Sequence, residues 1–267
     1  MIISEAGYIL TSHELMLLAA AVGGYSFLGF KYEADVKQEM AEQLWKNTMT
    51  SLQEKNFIFD GANGYTSIDK QLTDCMEACV RPEYFLSCRV RADDEETFCC
   101  YYAAKGKFVK LEKNEAVGDQ CILTPLKSLI RLNISIHDIM DLEGSYLKPD
   151  VTPELLLTPE YLNMIIELDS IELKHMDFIK EATLTDDLFA DMINAVKNHE
   201  NTRTLLLMQM NAKKQEDLFV YAGKYLWRLT KGEYNEESMK LTIITPESYT
   251  NELNRILDLI NTHEVSI

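Results

Sequence analysis

The sequence predicts an α+β fold made of two similar lobes with pseudo-twofold duplication, residues 1–148 and 149–267, each an antiparallel sheet meander with flanking helices. Three observations predict it. Short apolar runs separated by polar turns occur in two blocks, 84–124 and 203–245. Apolar residues at helical spacing precede and follow each block. The blocks also match residue for residue. At an offset of 120, Leu86, Ala92, Glu96 and Tyr101 meet Leu206, Ala212, Glu216 and Tyr221; at 118, Leu111, Lys113 and Glu115 meet Leu229, Lys231 and Glu233. At 121, the run from Ile122 to Pro125 meets that from Ile243 to Pro246, which places both prolines in the first turn of a helix.

The elements follow in order. Residues 2–10 read as a strand, Thr11-Ser12 as a cap, and Leu15, Leu18, Ala19 and Val22 as a helix stopped by Gly23-Gly24. The stripe Val36, Met40, Leu44, Thr48, Leu52 marks a helix over 33–54. After Phe57-Ile58-Phe59 and a turn at Gly61–Gly64, a helix follows on Ile68, Leu72, Cys75, Met76 and Cys79. It is capped at Thr66 or Ser67 and ended by Arg81-Pro82. Strands at 84–91, 97–104, 107–112 and 120–124 lead to a helix from Pro125. The second half gives helices at 159–181 and 184–199, then strands at 203–211, 217–223, 224–230 and 239–245. A last helix from Pro246 carries Tyr249, Leu253, Ile256, Leu257 and Ile260.

With 46% hydrophobic residues in 267, the chain has the mass for a real core. A net charge of −17, spread over both halves, disfavours nucleic acid and anionic membranes as partners. No run approaches 18 uncharged apolar residues, and the start MIISEAGYILTSHE lacks the regions of a signal peptide, so a cytoplasmic protein without membrane insertion is expected. Cys75, Cys79, Cys88, Cys99, Cys100 and Cys121 fall in one stretch without a CxxC or an intervening His. They read as reduced, metal-free thiols packed as small apolar residues.

Ser67 and Lys70 have the SxxK spacing of serine acyl-enzymes, but no KTG or SDN partner accompanies them, and the hydroxyl sits where a helix cap belongs. The five histidines are scattered, and Asp138, Asp141 and Glu143 lack the alternating ligand spacing of a calcium loop. No catalytic site and no cofactor is expected. Methionines crowd the second lobe (Met164, Met176, Met192, Met208, Met210), as core filling or as an adaptable peptide-binding face. The hairpin tip Asp93, Asp94, Glu95, Glu96 carries four carboxylates with no counter-ion in sequence reach, whereas its counterpart at 212–215 is Ala-Lys-Lys-Gln. That divergence makes the tip a candidate partner contact, together with Met208, Met210 and Tyr249.

The N-terminal strand and Leu-rich helix from Tyr8 to Leu18, two helices leading into a meander, the Leu-Thr-Pro-Leu exit at 123–126 and a second half echoing the first resemble one family over nearly the whole chain. It is the EspG-type chaperones of bacterial ESX (type VII) secretion systems. The resemblance implies a pseudo-symmetric α+β fold and a non-enzymatic cytosolic adaptor. It would hold the tip of a helical-hairpin secreted protein, of the WxG/LxG-like class, soluble before export. It also implies binding surfaces on the loop from Arg91 to Thr97 and on the C-terminal helical part, in a monomer or weak dimer. Two other readings stand beside it: an acidic immunity or inhibitor protein occupying a basic toxin cleft, and a hydrolase using Ser67 and Lys70.

Overall fold

The computed structural model describes residues 7–24, 26–29, 38–60, 66–92, 95–113, 118, 120–142, 145–148, 152–182, 184–198, 201–231 and 238–264. The fold is α+β, antiparallel sheet flanked by helices, in two compact units. The first comprises Met1–Ser87, Phe98–Ser135 and Met208–Lys214; the second comprises Cys88–Thr97, Ile136–Leu207 and Gln215–Ile267.

The first unit opens with β1 (Tyr8–Thr11) and α1 (Ser12–Ala21). The junction is a capping box: the Glu14 amide donates to Thr11 Oγ1 at 3.2 Å and the Thr11 amide to Glu14 Oε2 at 2.7 Å. Then come α2 (Gln38–Glu54), the small hairpin β2 (Ile58–Asp60) and β3 (Thr66–Ile68), and α3 (Lys70–Val80). The meander is β4 (Tyr84–Ala92), β5 (Glu95–Ala104), β6 (Lys107–Lys113) and β7 (Gln120–Leu126), with strand order β1-β7-β6-β5-β4, followed by α4 (Leu129–Met140); Cys88–Thr97 of the β4–β5 hairpin and α4 from Ile136 on count with the second unit. Alternation decides which face is covered. Tyr102, Val109, Leu111, Leu123 and Leu10 pack with Leu15, Leu18, Leu72 and Met76 of α1 and α3. The β5–β6 turn is Lys105-Gly106, both with positive φ (49° and 73°), as a two-residue hairpin loop requires.

The second unit contains β8 (Glu154–Leu157), α5 (Pro159–Glu167), α6 (Ser170–Lys174), α7 (Asp177–Glu181) and α8 (Asp186–Asn198). Its meander is β9 (Asn201–Gln209), β10 (Lys214–Ala222), β11 (Leu226–Lys231) and β12 (Met239–Ile244), in the order β9-β10-β11-β12-β8, and α9 (Pro246–Glu264) closes the chain. Leu155, Leu157, Leu241, Ile243, Trp227 and Tyr221 form one face of this core, against Ile165, Leu173, Phe189, Met192 and Val196.

Several expectations are corrected. Thr158 caps α5 after an unforeseen strand, β8, and the expected helix 159–181 is three short ones, the second capped by Asp169. Pro125 does not open a helix. It lies in β7 opposite Val109, and α4 begins at Leu129 behind Ser128, whose Oγ accepts from the Arg131 amide. Pro246, by contrast, is the first residue of α9. The ladders set Leu111 opposite Leu123 and Leu229 opposite Leu241, so the offset through the last two strands is 118, not 121. The tyrosine facing the β6 core is Tyr102, one residue from the sequence match.

All six cysteines are buried free thiols. Burial pushes Cys75, Cys99 and Cys100 up to about 12, so they are neutral packing groups near neutral pH. Val36 and the turn Gly61–Gly64 lie outside the described residues.

Glu14 is a buried charge of the first unit, 1% exposed. It accepts from Lys55 Nζ (2.6 and 2.8 Å), Ser51 Oγ (2.7 Å) and the Thr11 amide. Burial alone would raise its pKa; the Lys55 cation and the three donors outweigh it and hold the carboxyl below the usual range. A depressed carboxylate contributes stability above its unfolded pKa and loses it as pH falls through the folded value. Lys55→Met strands the carboxylate and should cost about 3 kcal/mol near neutrality. That deficit should shrink below about pH 4, where the stranded group is protonated in both states. Urea unfolding of the two proteins across that range measures it; a deficit independent of pH would refute the assignment.

Candidate partner-binding site

The β4–β5 hairpin carries the first candidate surface. Asp93 and Asp94 lie outside the described residues; Glu95 and Glu96 are exposed at the start of β5. The expectation of no counter-ion is corrected for Glu96, which pairs with Arg91 Nη2 at 2.8 Å and Arg89 Nε at 3.5 Å. The signal was in the sequence: Arg89 and Arg91 are two apart, so a strand points both to one face, while Val90 between them is buried. The described part of this tip therefore carries paired charges of both signs at an exposed edge. The matching Glu216 of β10 accepts from Arg255 Nη2 of α9 at 3.0 Å, and Ala212, Lys213, Lys214 and Gln215 are exposed.

The other candidate residues fall elsewhere. Met208 packs against the first unit's core, and the Met210 amide donates to the Glu83 carbonyl at 2.9 Å. Met164, Met176 and Met192 fill the second core. Tyr249 is only 3% exposed, its hydroxyl donating to the Met140 carbonyl at 2.6 Å, and burial pushes that phenol well up. It stands in the wall of a cleft of about 360 Å³ between α4 and α9, with His137, Asp138, Asp141 and Leu253. His137 Nε2 contacts Asn254 Oδ1 at 3.0 Å, His175 ends α6, and His199 and the side chain of His263 are outside the described set.

The SxxK pair does not form. Ser67 is a strand residue whose Oγ reaches the Phe59 carbonyl at 3.4 Å, and Asp69, not Thr66 or Ser67, caps α3 by accepting from the Leu72 amide at 2.8 Å. Lys70 is the first helical residue, so the hydroxyl and amine are not one helical turn apart. Among the described residues no group of His, Cys, Asp or Glu could hold a metal ion. Glu143 and Gly144 lie outside them.

Sequence reading missed the apolar surface of α5–α8. Ile171 is 72% exposed, and Tyr161 and Ile166 are exposed beside it in sequence. Tyr161 stacks on Phe178, ring centroids 4.4 Å apart. Between α6 and α8 runs a groove of about 470 Å³ with Ile171, Phe189 and Ile193 on its apolar side and Ser170, His175 and Asn194 beside them, bridged by Lys174 Nζ to Asp186 Oδ1 at 2.6 Å. Below it, Lys197 Nζ donates to the Leu168 carbonyl and fastens the end of α5 to α8. The arrangement suits shape-dependent binding of an apolar side chain.

This is an EspG-like fold. The solved Mycobacterium tuberculosis type VII secretion system chaperone EspG5, in complex with the PE25–PPE41 dimer, is similar at a TM-score of 0.63 and 10% identity, covering 95% of this chain and 96% of that one. No family model matches the sequence, and no curated protein matches it. Among the described residues no helix is long and apolar enough to cross a membrane.

Proposed function

We propose that this chain is a non-enzymatic cytoplasmic adaptor of an ESX (type VII) secretion system that binds a helical secreted partner and keeps it soluble for export. The likeness of fold to a chaperone of such a system, over nearly the whole of both chains, carries this reading. Two surfaces give it a mechanism. The hairpin from Arg91 to Thr97 presents both signs of charge at an exposed edge, Glu96 paired with Arg89 and Arg91, to a partner of complementary charge. The α6–α8 groove accepts apolar side chains from a helical tip of the WxG/LxG-like class.

The same reading takes residues 1–148 and 149–267 as two copies of one unit. β1 and β8 each lead through a threonine cap into a helix, and the last two strands of each meander share one register offset.

Replacing Asp93, Asp94, Glu95 and Glu96 with Ser and Asn tests the hairpin. Exposed pairs contribute little to folding, so Tm should hold. Association with the co-purifying partner should slow and its salt dependence weaken. A surface binding assay at two salt concentrations reads both, and an unchanged rate and salt slope would remove the hairpin from the interface.

A further inference from the structure

Helix α4 is apolar on two opposite sides. Leu132, Ile136 and Met140 are fully buried on one. On the other, Ile130 (70% exposed) and Ile134 (44%) stand in the open with Arg131, and exposed Asp138 lies on the same side at the rim of the α4–α9 cleft. At about 100° per residue these four positions fall within one arc of about 100°, centred opposite the buried stripe. A helix covered on one side needs only one apolar stripe, so the second is unexplained by the fold.

The charges on this face are self-complementary. Arg131 and Asp138, for which no ion pair occurs among the described residues, lie at equal distances on either side of the Ile134–Ser135 peptide. A twofold contact between identical surfaces brings residue i to j and j to i. Laid antiparallel on a copy of itself about that midpoint, α4 sets Arg131 against the second copy's Asp138 twice, with Ile134 at the axis. A parallel alignment in register would instead bring like charges together.

We propose that the outer face of α4 pairs with the same face of a second copy of this chain, forming an antiparallel homodimer. This does not depend on the secretion reading. A helix of 12 residues is about 18 Å long, and two of them bury less than the roughly 1,200 Å² of a stable interface, so the dimer is weak and concentration-dependent.

Sedimentation equilibrium over a wide concentration range tests it, with thermal unfolding confirming that each variant folds. The wild-type mass should rise from 30.7 kDa towards twice that value. Arg131→Asp and Asp138→Arg should each suppress the rise by placing like charges opposite, the two together should restore it, and Ile130→Ser with Ile134→Ser should abolish it. A constant 30.7 kDa overturns the proposal, as does a rise that survives the serine variant or a double exchange that fails to rescue. A monomeric wild type whose secreted partner is lost in the serine variant would overturn it too, assigning the face to that partner.

Discussion

Asp191→Ala is expected to lower the unfolding free energy by about 4 kcal/mol. Asp191 lies on α8, 6% exposed, and accepts three hydrogen bonds: from the Lys224 amide (2.7 Å), the Tyr225 amide (3.2 Å) and Trp227 Nε1 (2.9 Å). It is the anchor of the β10–β11 turn. Truncation leaves buried donors with no acceptor, each costing about 1–3 kcal/mol, and the site is too tightly closed for easy relief. Gly223 shows how tightly: a Cβ there would stand 2.7 Å from Asp191 Oδ1, so Gly223→Ala should also destabilise. The turn in turn holds the segment that precedes β8, since the Lys224 carbonyl accepts from the Leu147 amide at 2.8 Å. A loss of that size lowers Tm by roughly 10 °C in a chain of this length. Asp187→Ala, one turn away, removes only an exposed pair with Lys224 and should change stability by under about 0.5 kcal/mol. Equal effects of the two substitutions in a thermal melt would contradict the role given to Asp191.

Ile171→Glu is expected to weaken partner binding by about 30-fold or more while leaving Tm in place. The side chain is exposed in the free chain, so folding gains little from it. In the complex, a carboxylate beside Phe189 and Ile193 would lose its water while the nearest cation, Lys174, is already paired with Asp186, which costs more than the lost contact. Titration calorimetry of the two proteins, with melting curves beside it, reads the effect; a drop in Tm that accounts for the lost binding would make Ile171 structural.

The meanders were legible because their strands alternate and turn residues bound them: 84–91 and 107–112 became β4 and β6 within a residue or two. β8 was missed because Leu155-Leu156-Leu157 is a continuous apolar run whose strand character depends on pairing with β12, a non-local contact. The break at Asp169 was readable, since Asp169 and Glu172 form a capping box that helical spacing alone ran through. Pro125 was misread because an ITP exit looks like a helix start. It lies past Leu123, the last β7 residue that β1 pairs, where a missing amide donor is tolerated.

The candidate site was less legible. Arg89 and Arg91 show as counter-ions of Glu96 once strand alternation is applied, but not from sequence proximity. Helical periodicity tells that one of Ile165 and Ile166 must face outward, and burial selects Ile165 for the core. It does not reveal that Ile171 and the short α6 leave a groove open, because that depends on where α6 and α8 sit in the packed unit.

Amide hydrogen exchange of the chain, alone and bound to a helical secreted partner that co-purifies with it, tests the chaperone reading most directly. The expected result is slowed exchange at Cys88–Thr97 and across α6 and α8, from Ser170 to Asn194. A complex in which both segments exchange as they do in the free chain would contradict it.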